Sequence, residues 1–155
     1  MPSFRTSHVV AHSPQQMFDL VADVEAYPQF VPLCQSLRVR RRYEGANGEE
    51  VIVAEMEVGY KAIRERFTSR VTLDRAARTI DVEYVDGPFS HLENMWRFRD
   101  AEEGKEDGKC RVDFYIAYEF RSRALASLMG TMFDAAFRKF SSAFETRADE
   151  VFRPI

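Results

Sequence analysis

Between Leu37 and Phe120 apolar and polar residues alternate almost one for one, whereas from Leu125 to Phe144 the apolar residues recur at gaps of three and four. A period of two belongs to a pleated strand with one face on a core, and the longer period to a helix with one buried stripe. The helical stripe is Leu125, Leu128, Met129, Met132, Phe133, Ala136, Phe137, Phe140 and Phe144. Its phenylalanines and methionines make a broad, adaptable surface. A curved sheet wrapped round such a helix often leaves a cavity between the layers, and cavities of that kind take apolar ligands. A solid helix-on-sheet core fits the same pattern.

Residues 3–11 read as a first strand. Ser13-Pro14-Gln15-Gln16 then opens a helix: Ser13 can cap it, Pro14 suits its first turn, and Gln16 stands where a capping box needs Glu or Gln. Met17, Leu20, Val21 and Val24 continue its stripe, and Pro28 and Pro32 break it, leaving a short helical turn over 26–33. Strands are predicted over 37–43, 51–60, 63–73, 79–85, 91–99 and 112–120. In the first of these Leu37, Val39 and Tyr43 alternate with Arg38, Arg40 and Arg42, which puts the three arginines on one face. Ile52, Ala54, Met56, Val58 and Tyr60 share a face of the next; Ile63, Phe67, Val71 and Leu73 share one after it, opposed by Arg64, Arg66 and Arg70. Asn47-Gly48 and Asp86-Gly87-Pro88 mark turns, and the run 100–109, DAEEGKEDGK, reads as a charged, solvated hairpin loop. Clean alternation implies an antiparallel sheet with one face in water and the other under the C-terminal helix.

At 155 residues, 45% apolar and 30% charged, the chain suits one globular domain over 1–155. The balance of 22 basic and 25 acidic residues argues against a general nucleic-acid binder, and DNA is not an expected partner. No apolar run approaches the roughly 20 residues that span a bilayer. The start MPSFRTSHVV has no signal-peptide core, and Cys34 and Cys110 have no metal or redox spacing, so a reduced, cytoplasmic setting is expected. His8, His12 and His91 lie in no nucleophile motif or zinc-ligand pattern and read as surface or edge histidines. No catalytic residue, metal or catalytic cofactor is expected.

Polar residues on apolar faces carry more. Asn94 falls between Leu92 and Trp96 in alternation and should point inward, as should Tyr84 and Tyr118. Glu65 falls in register with Ile63 and Phe67, unless a bulge shifts it. Buried polar groups need partners, supplied by one another or by a ligand. Arg38, Arg40, Arg41 and Arg42 form a dense basic run that suits RNA phosphates or anionic lipid, or pairs with Glu55, Glu57, Asp81 and Glu83 on neighbouring strands.

DVEAYPQFVPLC (23–34), GPFSHLENMWRF (87–98) and the Phe/Met-rich C-terminal helix together resemble the coenzyme Q-binding proteins of the START-like, or polyketide cyclase-like, superfamily, whose bacterial branch includes the ribosome-association toxin RatA. The resemblance covers roughly residues 3–152. It implies an α+β helix-grip fold: a curved antiparallel sheet around a long C-terminal helix, with two short helices after the first strand. It implies a deep apolar cavity holding ubiquinone or a similar polyprenyl lipid beside the inner membrane, supporting respiration without catalysis. The rival implications are binding of the large ribosomal subunit, which blocks subunit joining, and a cyclase or dehydratase activity. Leu33 stands where the family is associated with Trp.

On this reading the ligand meets Phe30, Tyr84, Asn94, Trp96, Phe114, Tyr118, Met129, Met132, Phe133 and Phe137. Trp96 and Phe133 are expected to face each other across the cavity. Tyr27, Phe30 and Val31 form a gate within 26–33, and Arg38, Arg40 and Arg42 meet RNA or anionic lipid. A flat quinone ring with two carbonyl acceptors suits aromatic walls and a few donors, and each buried CH₂ of its tail is worth about 0.8 kcal/mol.

Overall fold

The computed structural model describes residues 1–102 and 105–152. Strand β1 (Ser3–Val10) leads to helix α1 (Pro14–Ala22) and a 3₁₀ turn over Val24–Gln29. Six strands follow, β2 (Cys34–Glu44), β3 (Glu50–Tyr60), β4 (Ile63–Asp74), β5 (Thr79–Asp86), β6 (Phe89–Glu102) and β7 (Lys105–Phe120), and then helix α2 (Arg123–Val151). The strands form one sheet in the order β1-β7-β6-β5-β4-β3-β2. Every neighbouring pair is antiparallel. The expected helix-grip architecture is the observed one.

The capping box at the start of α1 is made in full: the Gln16 amide donates to Ser13 Oγ at 3.1 Å, and the Ser13 amide donates to Gln16 Oε1 at 2.9 Å. The short helical turn begins earlier than its prolines suggested, at Val24, and ends at Gln29 with Pro28 inside it. Phe30 to Leu33 then run outside any helix, with Leu33 at φ +67°. A bulky residue in that left-handed region is strained, at roughly 1–3 kcal/mol.

The inner faces of β6 and β7 match the alternation. Leu92, Trp96, Phe98, Val112, Phe114, Ile116, Tyr118 and Phe120 are buried. Helix α2 lies along β7 and β1 and against α1. Its buried line is Met129, Phe133, Ala136, Phe137, Ser141, Phe144 and Ala148. Leu128, assigned to the stripe from its spacing, is 62% exposed, because it lies one residue off this line.

Two further expectations need correction. Residues 100–109 are not a loop throughout: β6 runs on to Glu102 and β7 starts at Lys105, with Asp100 opposite Cys110 and Glu102 opposite Lys105. Charged side chains do not prevent the two strands from pairing, because backbone hydrogen bonds hold the ladder. His12 is not a surface histidine. It is buried beside Phe152, with Nε2 2.6 Å from Asp149 Oδ1, and ties the start of α1 to the end of α2.

Candidate functional site: a cavity under the helix

The sheet is wider than the helix that covers it. Because α2 lies over β7 and β1, the inner faces of β3, β4 and β5 keep a space above them. That space is a cavity of about 80 Å³. Its floor is Ala54, Met56, Val58, Phe67, Ser69, Val71, Ile80, Val82, Leu92, Asn94, Trp96 and Ile116. Phe133, Ala136, Phe137, Phe140 and Phe144 of α2 roof it, and Leu37 with Val24, Tyr27, Pro32 and Leu33 closes one side. No charged side chain is among these residues. One water needs about 10–15 Å³ of such space, so the cavity holds a few waters as it stands and must widen for a larger guest.

Of the residues named from sequence for a ligand, Asn94, Trp96, Phe133 and Phe137 stand on the cavity wall, as does Tyr27 of the gate. The others stand elsewhere. Phe114 lies behind Trp96 and Phe140, with ring centroids 4.7 and 6.4 Å away. Tyr118 packs on Phe137 and Phe89, and the Tyr84 hydroxyl accepts a hydrogen bond from the Phe89 amide at 3.1 Å. Met129 and Met132 precede Phe133 on α2 and lie beyond the end of the cavity. Phe30 packs edge-on against Phe144 at 5.0 Å, and Val31 is buried beside it in sequence without lining the cavity. Trp96 stands on the cavity floor and Phe133 on its roof; the α2 ring in direct contact with Trp96 is Phe144, at 4.9 Å, while Phe133 meets Phe89 and Phe120.

Asn94 is already partnered. Its Nδ2 donates to the Tyr115 carbonyl at 2.9 Å, and its Oδ1 accepts from Trp96 Nε1 at 3.1 Å. These two bonds lock the indole in the wall and leave the amide with one further N–H. Tyr27 donates its hydroxyl to the Val21 carbonyl. Burial, helped by Cys34 and Asp23, pushes its phenol far above the usual range, so it does not ionise near neutrality. Glu65 faces inward opposite Val58, on an unbroken β3–β4 ladder, so no bulge turns it away. It remains hydrated because it lies at the half-buried end of that face.

The wall contains residues that the sequence reading did not place in a site: Ser69, Leu37, Val82 and Phe144 are the clearest. Ser69 is the one with chemistry, and period two predicts it, since it falls between Phe67 and Val71 on the same face.

The segment 24–33 is fastened mainly through side chains: Val24 and Val31 are buried in the core, Glu25 pairs with Arg42, and Tyr27 donates to Val21. Tyr27 and Phe30 meet Phe144 edge-on at 5.2 and 5.0 Å, the Leu33 carbonyl accepts from the Gly59 amide at 3.0 Å, and Arg147 donates to Gln29 Oε1 at 2.7 Å. Its other backbone bonds are internal, such as those from the Phe30 and Val31 amides to the Tyr27 carbonyl. Arg147 also covers the Phe30 ring at 5.3 Å.

The three arginines of β2 do not share a face. Val39 pairs with Ala54 and Arg41 with Val53, so Arg40 is an extra residue in the ladder. This bulge reverses the alternation beyond it. Arg38 and Arg40 point outward, while Arg42 lies opposite buried Ile52 and reaches Glu25 at 2.7 Å. On the outer face Arg40 is hydrogen-bonded to Glu55, and that bond holds the Glu55 carboxyl below its usual range. Arg66 pairs with Glu57 and Arg70 with Glu83, each at 3.1 Å.

An uncharged cavity between a seven-stranded sheet and one long helix accords with the family model for polyketide cyclase/dehydrase and lipid transport, which matches residues 10–145. The chain belongs to that family. It is 34% identical to ribosome association toxin RatA of Rickettsia prowazekii, over 99% of this chain and 100% of that one. It is 33% identical to coenzyme Q-binding protein COQ10 homolog B, mitochondrial, of Xenopus laevis, over 96% of this chain and 59% of that protein. Among solved structures, the 18 kDa protein CC1736 of Caulobacter crescentus is similar with a TM-score of 0.74 and 37% identity, over 99% of this chain and all of that one. The Zhui aromatase/cyclase of Streptomyces sp. R1128, with a TM-score of 0.77 at 18% identity over 98% of this chain and 96% of that one, shares the fold.

Proposed function

We propose that this protein binds a neutral polyprenyl lipid of the ubiquinone type in the cavity, and carries or shields it at the inner-membrane surface without altering it. The observation that carries this reading is the composition of the wall: aromatic and aliphatic except for Asn94 and Ser69, with no charge. Burying an ionised head there without a partner costs several kcal/mol, whereas a quinone head brings only carbonyl acceptors and a flat ring. Acid–base chemistry needs a titratable group beside the substrate; no carboxylate, histidine or cysteine is on the wall, and burial holds the one phenol there, Tyr27, far above its usual range. The named relationship to a coenzyme Q-binding protein supports the same reading.

The test is mass spectrometry of lipids extracted from the natively purified protein, followed by titration of the delipidated protein with a ubiquinone of two isoprene units. The chain's one tryptophan, Trp96, stands on the wall and serves as the reporter. Quinone-dependent quenching of its fluorescence is the expected result, and no bound isoprenoid together with no quenching would refute the reading.

The full-length similarity to RatA favours one alternative, association with the large ribosomal subunit through the outer face of β2. Arg38 and Arg41 there make no ion pair with a carboxylate among the described residues. Arg38→Glu with Arg41→Glu should abolish co-sedimentation with that subunit and leave lipid content unchanged. Co-sedimentation that persists in the double variant removes this face from consideration.

A further inference from the structure

Among the described residues, one buried side-chain polar atom has no hydrogen-bond partner, and it lies on the cavity wall: Ser69 Oγ. Ser69 is 6% exposed and stands on the inner face of β4, opposite Ala54 of β3 and Tyr84 of β5. The neighbouring Tyr84 hydroxyl accepts from the Phe89 amide and makes no hydrogen bond with Ser69. A buried hydroxyl left unpaired destabilises a fold by about 1–3 kcal/mol, so alanine would serve better here if packing were the only demand. The β4–β5 ladder is also irregular at this point. Thr68 pairs with Asp86 and Ser69 with Tyr84, leaving Val85 as an extra residue. Bulges of this kind re-aim neighbouring side chains and gather beside binding sites.

Depth fixes the direction. Along the inner face of β4, Ile63, Glu65 and Phe67 are half-buried, while Ser69, Val71 and Leu73 are buried. On this strand Ser69 is therefore the first polar group beyond Phe67 from the open end. We infer that Ser69 is the polar anchor of the cavity: it donates its hydroxyl hydrogen to a carbonyl or ether oxygen of an uncharged lipid head that enters first, while the tail trails out past Phe67, Met56 and Leu37. The inference rests on the lipid-binding reading and narrows it to neutral lipids with an acceptor oxygen on the head. A carboxylate or phosphate head gains one hydrogen bond at Ser69 and no counter-charge, so such lipids are excluded from this orientation.

Ser69→Ala separates the anchor from the cavity. The probes are the two-isoprene ubiquinone and phytane, an isoprenoid hydrocarbon without oxygen. Wild-type protein should bind both. The variant should bind the quinone about tenfold more weakly, bind phytane equally well, and melt no lower than wild type without ligand. The carbonyl stretch of the bound quinone should lie at lower wavenumber in wild type than in the variant. Equal quinone affinity in the two proteins, or equal losses for quinone and phytane, overturns the anchor and leaves the cavity as a lipid site. Wild-type protein that binds neither probe overturns both.

Discussion

At Gly87 a Cβ would meet the Phe67 Cβ at 2.5 Å and the Arg66 carbonyl oxygen at 3.0 Å, on backbone at φ +147°. The missing side chain is what lets the turn before β6 press against β4 and hold Phe67 at the open end of the cavity. Gly87→Ala should cost about 1–3 kcal/mol in chemical denaturation, from backbone strain and overpacking together. It should also change quinone affinity in the folded fraction, because relief of the clash moves Phe67. An unchanged denaturation midpoint would mean the turn has room that these distances deny. Individual residues were legible in the sequence to the extent that period two governs them. Asn94 and Trp96 point inward because alternation puts them there. Ser69 obeys the same rule, yet a small hydroxyl residue carries no hydropathy signal, and its missing partner is a property of the fold. Tyr84 and Tyr118 face inward as alternation predicts, but which inward residues reach the cavity depends on where α2 lies, and no local pattern encodes that.

The elements that bound the cavity differ in how firmly they are held. Strands β3 to β6 are paired on both sides, whereas the segment 24–33 joins no ladder and is held by buried Val24 and Val31, ring contacts with Phe144, the Tyr27–Val21 and Gly59–Leu33 hydrogen bonds, and the Arg42–Glu25 and Arg147–Gln29 contacts. Arg147→Ala removes the last of these and the cover over Phe30. Amide exchange across 26–33 should then accelerate severalfold, with little change in the central strands. Cys34 adjoins the segment, and burial pushes its thiol up to about 11, so alkylation at pH 8 is slow in the closed protein. The variant should be alkylated faster at Cys34, and bound quinone should slow the reaction again. Alkylation at the wild-type rate would show that Arg147 does not fasten the segment. Strand and helix positions were legible from periodicity, but bulges were not. The extra residue at Arg40 depends on how β2 registers with β3, and it moved Arg42 to the opposite face from Arg38. The same bulge, with another between Cys34 and Ser36, gives edge strand β2 an irregular outline that discourages pairing with a second sheet.

For the whole molecule, the sheet order has a kinetic consequence. Strands β2 to β7 follow one another as adjacent hairpins, so each can zip onto its predecessor through short loops. Strand β1 has no such neighbour: Ser3 pairs with Ala117 and Val10 with Cys110, which closes well over half of the 155-residue chain. Loop closure of that span is slow compared with hairpin formation. The first of the seven strands in chain order is therefore among the last to find its place, and α1 and the segment after it wait with it. In pulse-labelled refolding, amides of β3 to β6 should gain protection before those of Phe4 to Val10, and simultaneous protection would show that the long-range pairing forms with the hairpins. On that order the floor of the cavity precedes its side wall in time. During that interval the cavity lacks the wall made by the segment 24–33, and a lipid captured then need never pass through a gate.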